Sequence, residues 1–223
     1  MEILALHGHT RNITKVLYNR DGDLLFSAGK DKHVVLWRVS NGEPIGTYEG
    51  HIGAINDCDV TPDSKYLATG GGDNFMFVWD VETGAKLAEA EFKTSVNSVS
   101  WSCGGKYLLG LSLDQRSFPN AVCIYEWKAE EKKLVFVENI VDAVAKENLP
   151  IFSAVYGPMD KYIAIASENG AVTIYDLETK KTVKNYIYFI FYYFIILFNI
   201  YRKSLRITMQ KSQISALTDS ASL

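Results

Sequence analysis

The sequence predicts an all-β protein built from repeated four-stranded units, and three features of the chain lead to this prediction. A segment that runs from His9 to Trp37 recurs 42 residues later, from His51 to Trp79. Short apolar runs of about five to six residues alternate with turns rich in Gly, Asn and Asp. No helical periodicity lies between these runs. The pattern therefore indicates antiparallel meanders rather than a parallel sheet with crossover helices.

The two copies carry the same residue types at the same spacings. Each opens with Gly-His and ends in an apolar run into tryptophan, and the second continues into Asp80. A period of about 40–45 residues with Gly-His and Trp-Asp marks is typical of WD40 β-propeller blades, which have four strands each. The equivalent positions are His9 and His51, Ser27 and Thr69, Asp31 and Asp73, and Trp37 and Trp79.

Four such units are predicted within a partial propeller domain of residues 1–183, and they span about 7–49, 50–92, 93–140 and 148–183. The third and fourth units are degenerate. Tyr125 and Glu126, and then Tyr175 and Asp176, stand where Trp-Asp is expected. A seven-bladed ring needs about 300 residues at this period, so the prediction is an incomplete propeller of about four of seven blades.

Each strand is predicted from a run rich in β-branched and aromatic residues between turn residues. In the first unit the predicted strands are 13–18, 24–28, 33–38 and 44–48, and in the second they are 54–60, 66–70, 74–80 and 86–91. The third unit has 96–101, 106–111 and 121–127, with a longer loop before the last of these. The fourth has 151–156, 162–167 and 171–175.

The repeated His, Ser/Thr and Asp residues are the types of a nucleophilic triad, so an enzyme has to be considered. A catalytic serine needs an exposed, strained turn beside an oxyanion hole, whereas Ser27 lies within a predicted strand and its counterpart is Thr69. A catalytic set is also not expected twice in adjacent repeats. We therefore predict two structural tetrads, each a buried hydrogen-bond chain from indole through hydroxyl and imidazole to carboxylate, and no catalytic residues.

Composition narrows the remaining classes of function. The chain has 223 residues and a formal net charge of −3, and residues 1–183 carry 18 basic and 25 acidic side chains. An acidic domain lacks the basic surface that nucleic-acid phosphates require, so no direct nucleic-acid binding is expected. Cys58, Cys103 and Cys123 lack metal-ligand spacing, and neither a metal nor a cofactor is predicted. With no secretory signal in the sequence, we expect reduced thiols and a cytoplasmic protein.

The last part of the chain, residues 184–223, is predicted not to belong to the propeller. Residues 185–201 are almost wholly Tyr, Ile, Phe, Leu and Asn, and every residue from Lys184 to Tyr201 has a codon made only of A and T. We interpret this segment as translated intron sequence or an error in the gene model. The alternative is a membrane anchor at 187–200, although a spanning helix needs about 20 apolar residues, so a membrane partner is not favoured.

Residues 18–27, 41–51 and 153–158 resemble those of subunit i of eukaryotic translation initiation factor 3, and the likeness covers roughly 2–182. The resemblance implies a non-catalytic propeller that docks on subunits b and g of that complex. It also implies support of 43S preinitiation complex assembly and mRNA recruitment, with only indirect contact to the small ribosomal subunit. The serine-threonine kinase receptor-associated protein has a related pattern, so an adaptor of that kind is the alternative, as is a membrane-tethered WD40 protein.

Overall fold

The computed structural model describes residues 5–112, 121–140, 151–167 and 170–187, and these form four four-stranded antiparallel sheets. Within each sheet the strands follow one another in chain order as a meander. The first sheet holds β1 (Ile13–Tyr18), β2 (Leu24–Gly29), β3 (His33–Arg38) and β4 (Pro44–Glu49), and the second holds β5 (Ile55–Val60), β6 (Tyr66–Gly71), β7 (Phe75–Asp80) and β8 (Lys86–Glu91). The third holds β9 (Val96–Trp101), β10 (Tyr107–Ser112), β11 (Ala121–Lys128) and β12 (Lys133–Asn139), and the fourth holds β13 (Ile151–Tyr156), β14 (Tyr162–Ser167), β15 (Ala171–Asp176) and β16 (Lys181–Ile187). The prediction of an all-β fold of propeller blades is confirmed.

Turn chemistry ends the strands where the sequence places Gly and Asn. The tight turn after β1 has Gly22 at φ 79°, a left-handed conformation that suits a residue without Cβ. Asn19 closes the same turn, because its side-chain oxygen accepts hydrogen bonds from the amides of Gly22 (3.0 Å) and Leu24 (3.1 Å). These local bonds satisfy the turn backbone and allow β2 to fold back on β1.

The core lies between successive sheets. Its three clusters each combine residues of two neighbouring sheets: Phe26, Leu36 and Tyr48 with Ile55, Val60 and Trp79; Met76, Val78 and Phe92 with Val99, Trp101 and Leu108; and Leu109, Leu111 and Ile124 with Ala154, Tyr156 and Ile163. Full burial of one such side chain stabilises the fold by about 1.5–3 kcal/mol. Each sheet therefore depends on its neighbour for most of its apolar burial.

The first sheet has one covered face and one open face. Ile13, Val16 and Tyr18 of β1 are 52%, 60% and 46% exposed. Their counterparts in β5 are covered by the first sheet, and Ile55 and Cys58 are each only 1% exposed. The same strand position is thus buried in the second sheet and open in the first.

Two strands, β12 and β16, were not predicted from the sequence. The segment after the charged turn at 129–132 forms β12, which the prediction left unassigned. The strand β16 pairs with β15 as far as Ile187 and so passes residue 183, where the predicted domain boundary lies. Its Tyr and Ile residues favour an extended backbone whatever their origin, and a free strand edge is available to pair with.

The rest of the predicted tail, from residue 188 onward, lies outside the described residues, as does most of the proposed membrane anchor. In the part of the chain that the structure describes, no helix has the length and apolar character needed to cross a membrane. The loop predicted between β10 and β11 falls outside it as well.

Candidate functional site

The first repeat brings its four marked residues into one hydrogen-bond chain. The Trp37 Nε1–H donates to Ser27 Oγ at 2.8 Å, and Ser27 Oγ lies 2.8 Å from His9 Nε2. His9 Nδ1 lies 2.9 Å from Asp31 Oδ2, which also accepts the Thr10 amide at 2.9 Å. A neutral imidazole with its proton on Nδ1 satisfies this chain from indole to carboxylate.

The second repeat contains the same chain with a threonine hydroxyl. The Trp79 Nε1–H donates to Thr69 Oγ1 at 2.9 Å, and that oxygen lies 2.8 Å from His51 Nε2. His51 Nδ1 lies 2.9 Å from Asp73 Oδ2, which accepts the amides of Ile52 (2.8 Å) and Gly53 (3.2 Å). The side chains of His51 and Asp73 are 0% and 2% exposed, so water does not compete for these bonds.

Burial and hydrogen bonding set the charge states of the two pairs. Burial lowers the pKa of His51 below its ordinary value, although the Asp73 carboxylate opposes this shift. Burial alone would raise the pKa of Asp31, but hydrogen bonds from His9 and the Thr10 amide outweigh it and hold the pKa below its ordinary value. The same balance, with the attraction to His51 as the largest opposing effect, lowers the pKa of Asp73. Each aspartate is therefore ionised at neutral pH.

The glycines of the repeat make room for these side chains, a role that the sequence pattern alone did not explain. A Cβ on Gly8 would lie 2.6 Å from Trp37 Cη2, and one on Gly50 would lie 2.8 Å from Trp79 Cη2. A Cβ on Gly29 would lie 2.5 Å from Asp31 Oδ1 and 2.6 Å from His9 Nδ1. The glycine of each Gly-His pair therefore packs under the indole ring, and Gly29 allows the imidazole and the carboxylate to meet.

The third and fourth sheets keep the strand register without the hydrogen-bond chain. Tyr125 lies opposite Leu108 and Tyr175 opposite Ile163, as Trp79 lies opposite Leu67. The strand position of Thr69 is taken by Gly110 and by Ile165, which have no hydroxyl. In the third sheet the space is apolar, because a Cβ on Gly110 would lie 2.6 Å from Phe92 Cζ.

The acidic residue of each Trp-Asp position lies near the end of its strand and makes its own contacts. Asp176 accepts the amides of Glu178 (2.8 Å) and Thr179 (3.0 Å), as Asp80 accepts the Thr83 amide (2.8 Å). These hydrogen bonds hold the pKa of both aspartates below its ordinary value. Glu126 Oε1 instead lies 3.1 Å from Nζ of Lys106, the residue just before β10. Two of the three residues thus close the turn that follows.

Side chains on the first strand of each sheet also connect that sheet to the next. These contacts were not predicted from the sequence. Asp57 of β5 lies 2.8 Å from Lys15 Nζ of β1, and its other oxygen accepts the Val99 amide and the Ser98 hydroxyl of β9, each at 3.1 Å. This carboxylate therefore joins three sheets. The attraction of Asp57 raises the pKa of Lys15 above its ordinary value.

The same type of contact recurs along the first strands. Trp101 donates its amide to Asp59 Oδ2 at 2.7 Å, Tyr156 donates its amide to Ser100 Oγ at 3.2 Å, and Thr14 Oγ1 donates to the Ile55 carbonyl at 2.7 Å. The signal in the sequence was the pair of carboxylates, Asp57 and Asp59, inside a predicted strand. The sequence of one repeat does not show that its carboxylates accept hydrogen bonds from the next repeat. The role of Asp57 and Asp59 could therefore not be predicted from the sequence.

The arrangement does not offer a nucleophile to solvent. Ser27 is 3% exposed and Thr69 is 0% exposed, and each oxygen already accepts an indole N–H. Cys58, Cys103 and Cys123 form no disulfide bond; Cys58 is buried, and burial raises the pKa of Cys123 to about 11. Within the described ranges, no group of three or more His, Cys, Asp or Glu side chains has the geometry to hold a metal ion.

Comparison with known proteins finds similar repeats in the sequence and a similar fold. The family model of the WD domain, G-beta repeat, matches residues 2–38 and 42–80. The β-propeller domain of Myceliophteria thermophila Cps50 (Swd1) superposes with a TM-score of 0.66 over 81% of this chain and 56% of that chain. Its sequence identity is 17%, so this likeness concerns the fold alone.

Relatives with clear sequence similarity carry the name eukaryotic translation initiation factor 3 subunit I. The protein from Nematostella vectensis is 36% identical over 180 residues, which are 80% of this chain and 54% of the relative. Those from Aspergillus terreus and Schizosaccharomyces pombe are 36% and 34% identical over 185 residues, 83% of this chain in both cases and 55% and 56% of the relatives. The chain spans about half the length of the curated relatives it matches. The fold is that of β-propeller blades with WD40 repeats in the first two sheets, and the resemblance of the chain to subunit I of eukaryotic translation initiation factor 3 is confirmed.

Proposed function

We propose that the chain is a non-catalytic WD40 scaffold subunit of the eukaryotic translation initiation factor 3 complex, acting in the cytoplasm. The observation that carries the proposal is the 36% identity to the Nematostella vectensis subunit I across 80% of this chain. We further propose that it contacts subunits b and g and thereby supports 43S preinitiation complex assembly and mRNA recruitment.

The geometry fits a scaffold better than an enzyme. The triad-like residues are buried and each hydroxyl is saturated by hydrogen bonds, so a substrate carbonyl has no access to them. The carboxylates instead hold backbone amides of neighbouring turns. We therefore propose that both tetrads serve stability, and that partners bind on the exposed turns and strands.

Co-purification from cells tests the proposal. We expect the affinity-tagged chain, expressed in a eukaryotic cell, to bring down subunits b and g, identified by mass spectrometry after a high-stringency wash. A tagged WD40 propeller unrelated to translation, expressed at the same level, is the control. Recovery of both subunits with the control as well, or of neither with a folded chain, would contradict the proposal.

A further inference from the structure

Three exposed cationic side chains lie on two turns at one end of the first sheet. Arg11 belongs to the turn before β1, and Lys30 and Lys32 belong to the turn between β2 and β3. The two turns are hydrogen-bonded to each other. The Lys30 amide donates to the Asn12 carbonyl at 2.9 Å, and the Thr10 amide donates to Asp31 Oδ2 at 2.9 Å. The first tetrad therefore fixes the backbone that carries the three cations.

These cations have no ion pair with another described residue. The only nearby carboxylate within the two turns, Asp31, is 6% exposed and is engaged by His9. Several other exposed lysines of the described ranges do have partners; for example, Lys106 pairs with Glu126 and Lys180 with Glu138. Like charges gathered without counter-charges weaken the folded state through mutual repulsion, so stability does not account for the cluster.

The second repeat provides an internal comparison, because it builds the same turns without cations. The positions of Arg11, Lys30 and Lys32 are occupied there by Gly53, Gly72 and Asn74. The equivalent hydrogen bonds to the turn aspartate still form, from the amides of Ile52 and Gly53 to Asp73. The repeat scaffold therefore does not need these three charges.

The backbone at Lys32 is left-handed, with φ 77°, as it is at Asn74 of the second repeat, with φ 71°. Lysines at positive φ also occur in other turns, at Lys132 and Lys180, so this conformation does not itself mark the first sheet. It does provide a matched control in the turn that holds Lys132.

An exposed apolar residue stands directly beside the cations. Ile13, the first residue of β1, is 52% exposed, whereas its counterpart Ile55 is 1% exposed. We propose that Arg11, Lys30, Lys32 and Ile13, here named the basic turn patch, bind an acidic segment of a partner protein that carries an aliphatic side chain. The inference does not depend on the function proposed above, since it rests only on the geometry of the first sheet.

The chemistry of the patch favours an acidic peptide over RNA. Binding of single strands uses a long basic groove and aromatic side chains on which bases stack. Residues 10–13 and 29–32 contain no aromatic residue, and the chain as a whole has a net charge of −3. Three cations around one aliphatic contact suit a short run of carboxylates with a leucine or isoleucine.

Fluorescence anisotropy with the full chain tests the patch. The probe is a short fluorescein-labelled peptide of glutamates with one leucine, measured at low salt and again at physiological salt. The patch variant carries Arg11→Gln, Lys30→Gln and Lys32→Asn. Loss of three exposed ion pairs is expected to weaken binding roughly tenfold, and added salt should weaken binding of the wild-type chain.

A matched control removes the same charge elsewhere. Lys128→Gln, Lys132→Asn and Lys133→Gln change the turn between β11 and β12, where Lys132 also has a positive φ of 50°. This control variant should bind the peptide as the wild-type chain does. Equal weakening in both variants would overturn the proposal, because it would show binding to overall charge rather than to the patch.

Two further measurements keep the test decisive. Ile13→Ser should weaken binding of the leucine-containing peptide but not of an all-glutamate peptide. The single Arg11→Gln variant, in an exposed turn, should weaken binding about two- to threefold and replaces the triple variant if that one does not fold. Tighter, patch-dependent binding of a single-stranded RNA of equal charge, or no binding of the peptide by the folded wild-type chain, would overturn the assignment.

Discussion

Each of the two tetrad histidines lies between a hydroxyl on one side and a carboxylate on the other. His51 has Thr69 Oγ1 at 2.8 Å and Asp73 Oδ2 at 2.9 Å, and its ring lies 4.3 Å from that of Phe77. A buried imidazole in such surroundings stabilises the fold only while every polar atom has a hydrogen-bond partner. At the scale of single residues, removal of the aspartate should destabilise the tetrad most, because the aspartate also accepts hydrogen bonds from backbone amides of the turn.

Replacing Asp73 with Ala should therefore lower the free energy of unfolding by about 1–3 kcal/mol. The change leaves His51 Nδ1 and the Ile52 amide without their acceptor. Urea denaturation followed by tryptophan fluorescence measures the loss. Asp21→Ala, in an exposed turn, is the control and should change the value by less than about 0.5 kcal/mol. Equal losses in the two variants would contradict the structural role of the tetrad.

The lowered pKa of His51 predicts a dependence of stability on pH. The unfolded chain has the ordinary histidine value of 6.5, and the folded chain has a lower one. Below pH 6.5 the unfolded state therefore binds the proton first, and the stability that is complete above this pH is lost as the pH falls toward the folded pKa. Denaturation curves between pH 7.5 and 5 should show a steeper decline for the wild-type chain than for His51→Gln.

A replacement that changes no titratable group provides the control for this pH dependence. Asn41 is exposed in the turn between β3 and β4, and Asn41→Gln should leave the slope of stability against pH unchanged. If His51→Gln kept the wild-type slope, the buried imidazole would not be the group that titrates.

Asp57 and Lys15 form an ion pair whose two members should differ in importance. The side chain of Asp57 is 11% exposed and accepts three hydrogen bonds besides the pair, whereas that of Lys15 is 39% exposed. Asp57→Ala should destabilise the chain by about 1–3 kcal/mol, because buried amide and hydroxyl donors lose their acceptor. Lys15→Ala should cost at most about 1 kcal/mol. Thermal and urea denaturation of both variants gives the comparison, and equal costs would contradict it.

At the scale of the strands and sheets, much of the architecture was predictable because the structural repeat is also visible as a repeat in the sequence. The strands β1, β3, β8 and β9 have the predicted bounds, since alternating apolar residues and turn residues act locally. The residues of the two tetrads were predictable for a related reason. The same residue types occur at the same spacings in both repeats, which indicates that they make the same contacts in each repeat.

The contacts between sheets were not predictable, because they join different repeats and leave no periodic trace. Asp57 binds backbone and hydroxyl groups of β9, and which group it meets depends on how two sheets pack. The strand β16 was not predicted, and the predicted domain ended at residue 183, because the unusual composition that follows was taken to mark the end of the fold. Pairing with an open edge needs backbone groups more than a particular side chain, so the ladder continues to Ile187.

The third sheet offers a prediction at this scale. Gly110 takes the place of the tetrad hydroxyl, and a Cβ there would lie 2.6 Å from Phe92 Cζ and 3.0 Å from Met76 Sδ. Gly110→Ala should therefore destabilise the chain by about 1–3 kcal/mol through overpacking. Gly46→Ala in β4 is the control, since a Cβ there meets nothing within 4 Å. It should be neutral or slightly stabilising, and a similar loss at Gly46 in denaturation experiments would contradict the packing argument.

At the scale of the whole molecule, stability comes from interfaces between neighbouring sheets, as in other repeat proteins. Apolar clusters join the first sheet to the second, the second to the third and the third to the fourth. Polar contacts of the first strands follow the same order, from Lys15 through Asp57 to Ser98 and on to the Ala154 carbonyl at 3.4 Å. Such a body presents turns and strand edges on a fixed frame, which is what a scaffold requires.

We propose that these sheets bind other subunits of the initiation factor rather than a substrate. The most direct measurement is a titration of purified subunits b and g with the purified chain, followed by isothermal calorimetry. We expect saturable one-to-one binding that is retained by Ser27→Ala in proportion to its folded fraction, because the hydroxyl acts only through stability. A folded wild-type chain that binds neither subunit would contradict this proposal, as would a hydrolytic activity that Ser27→Ala abolishes without loss of folding.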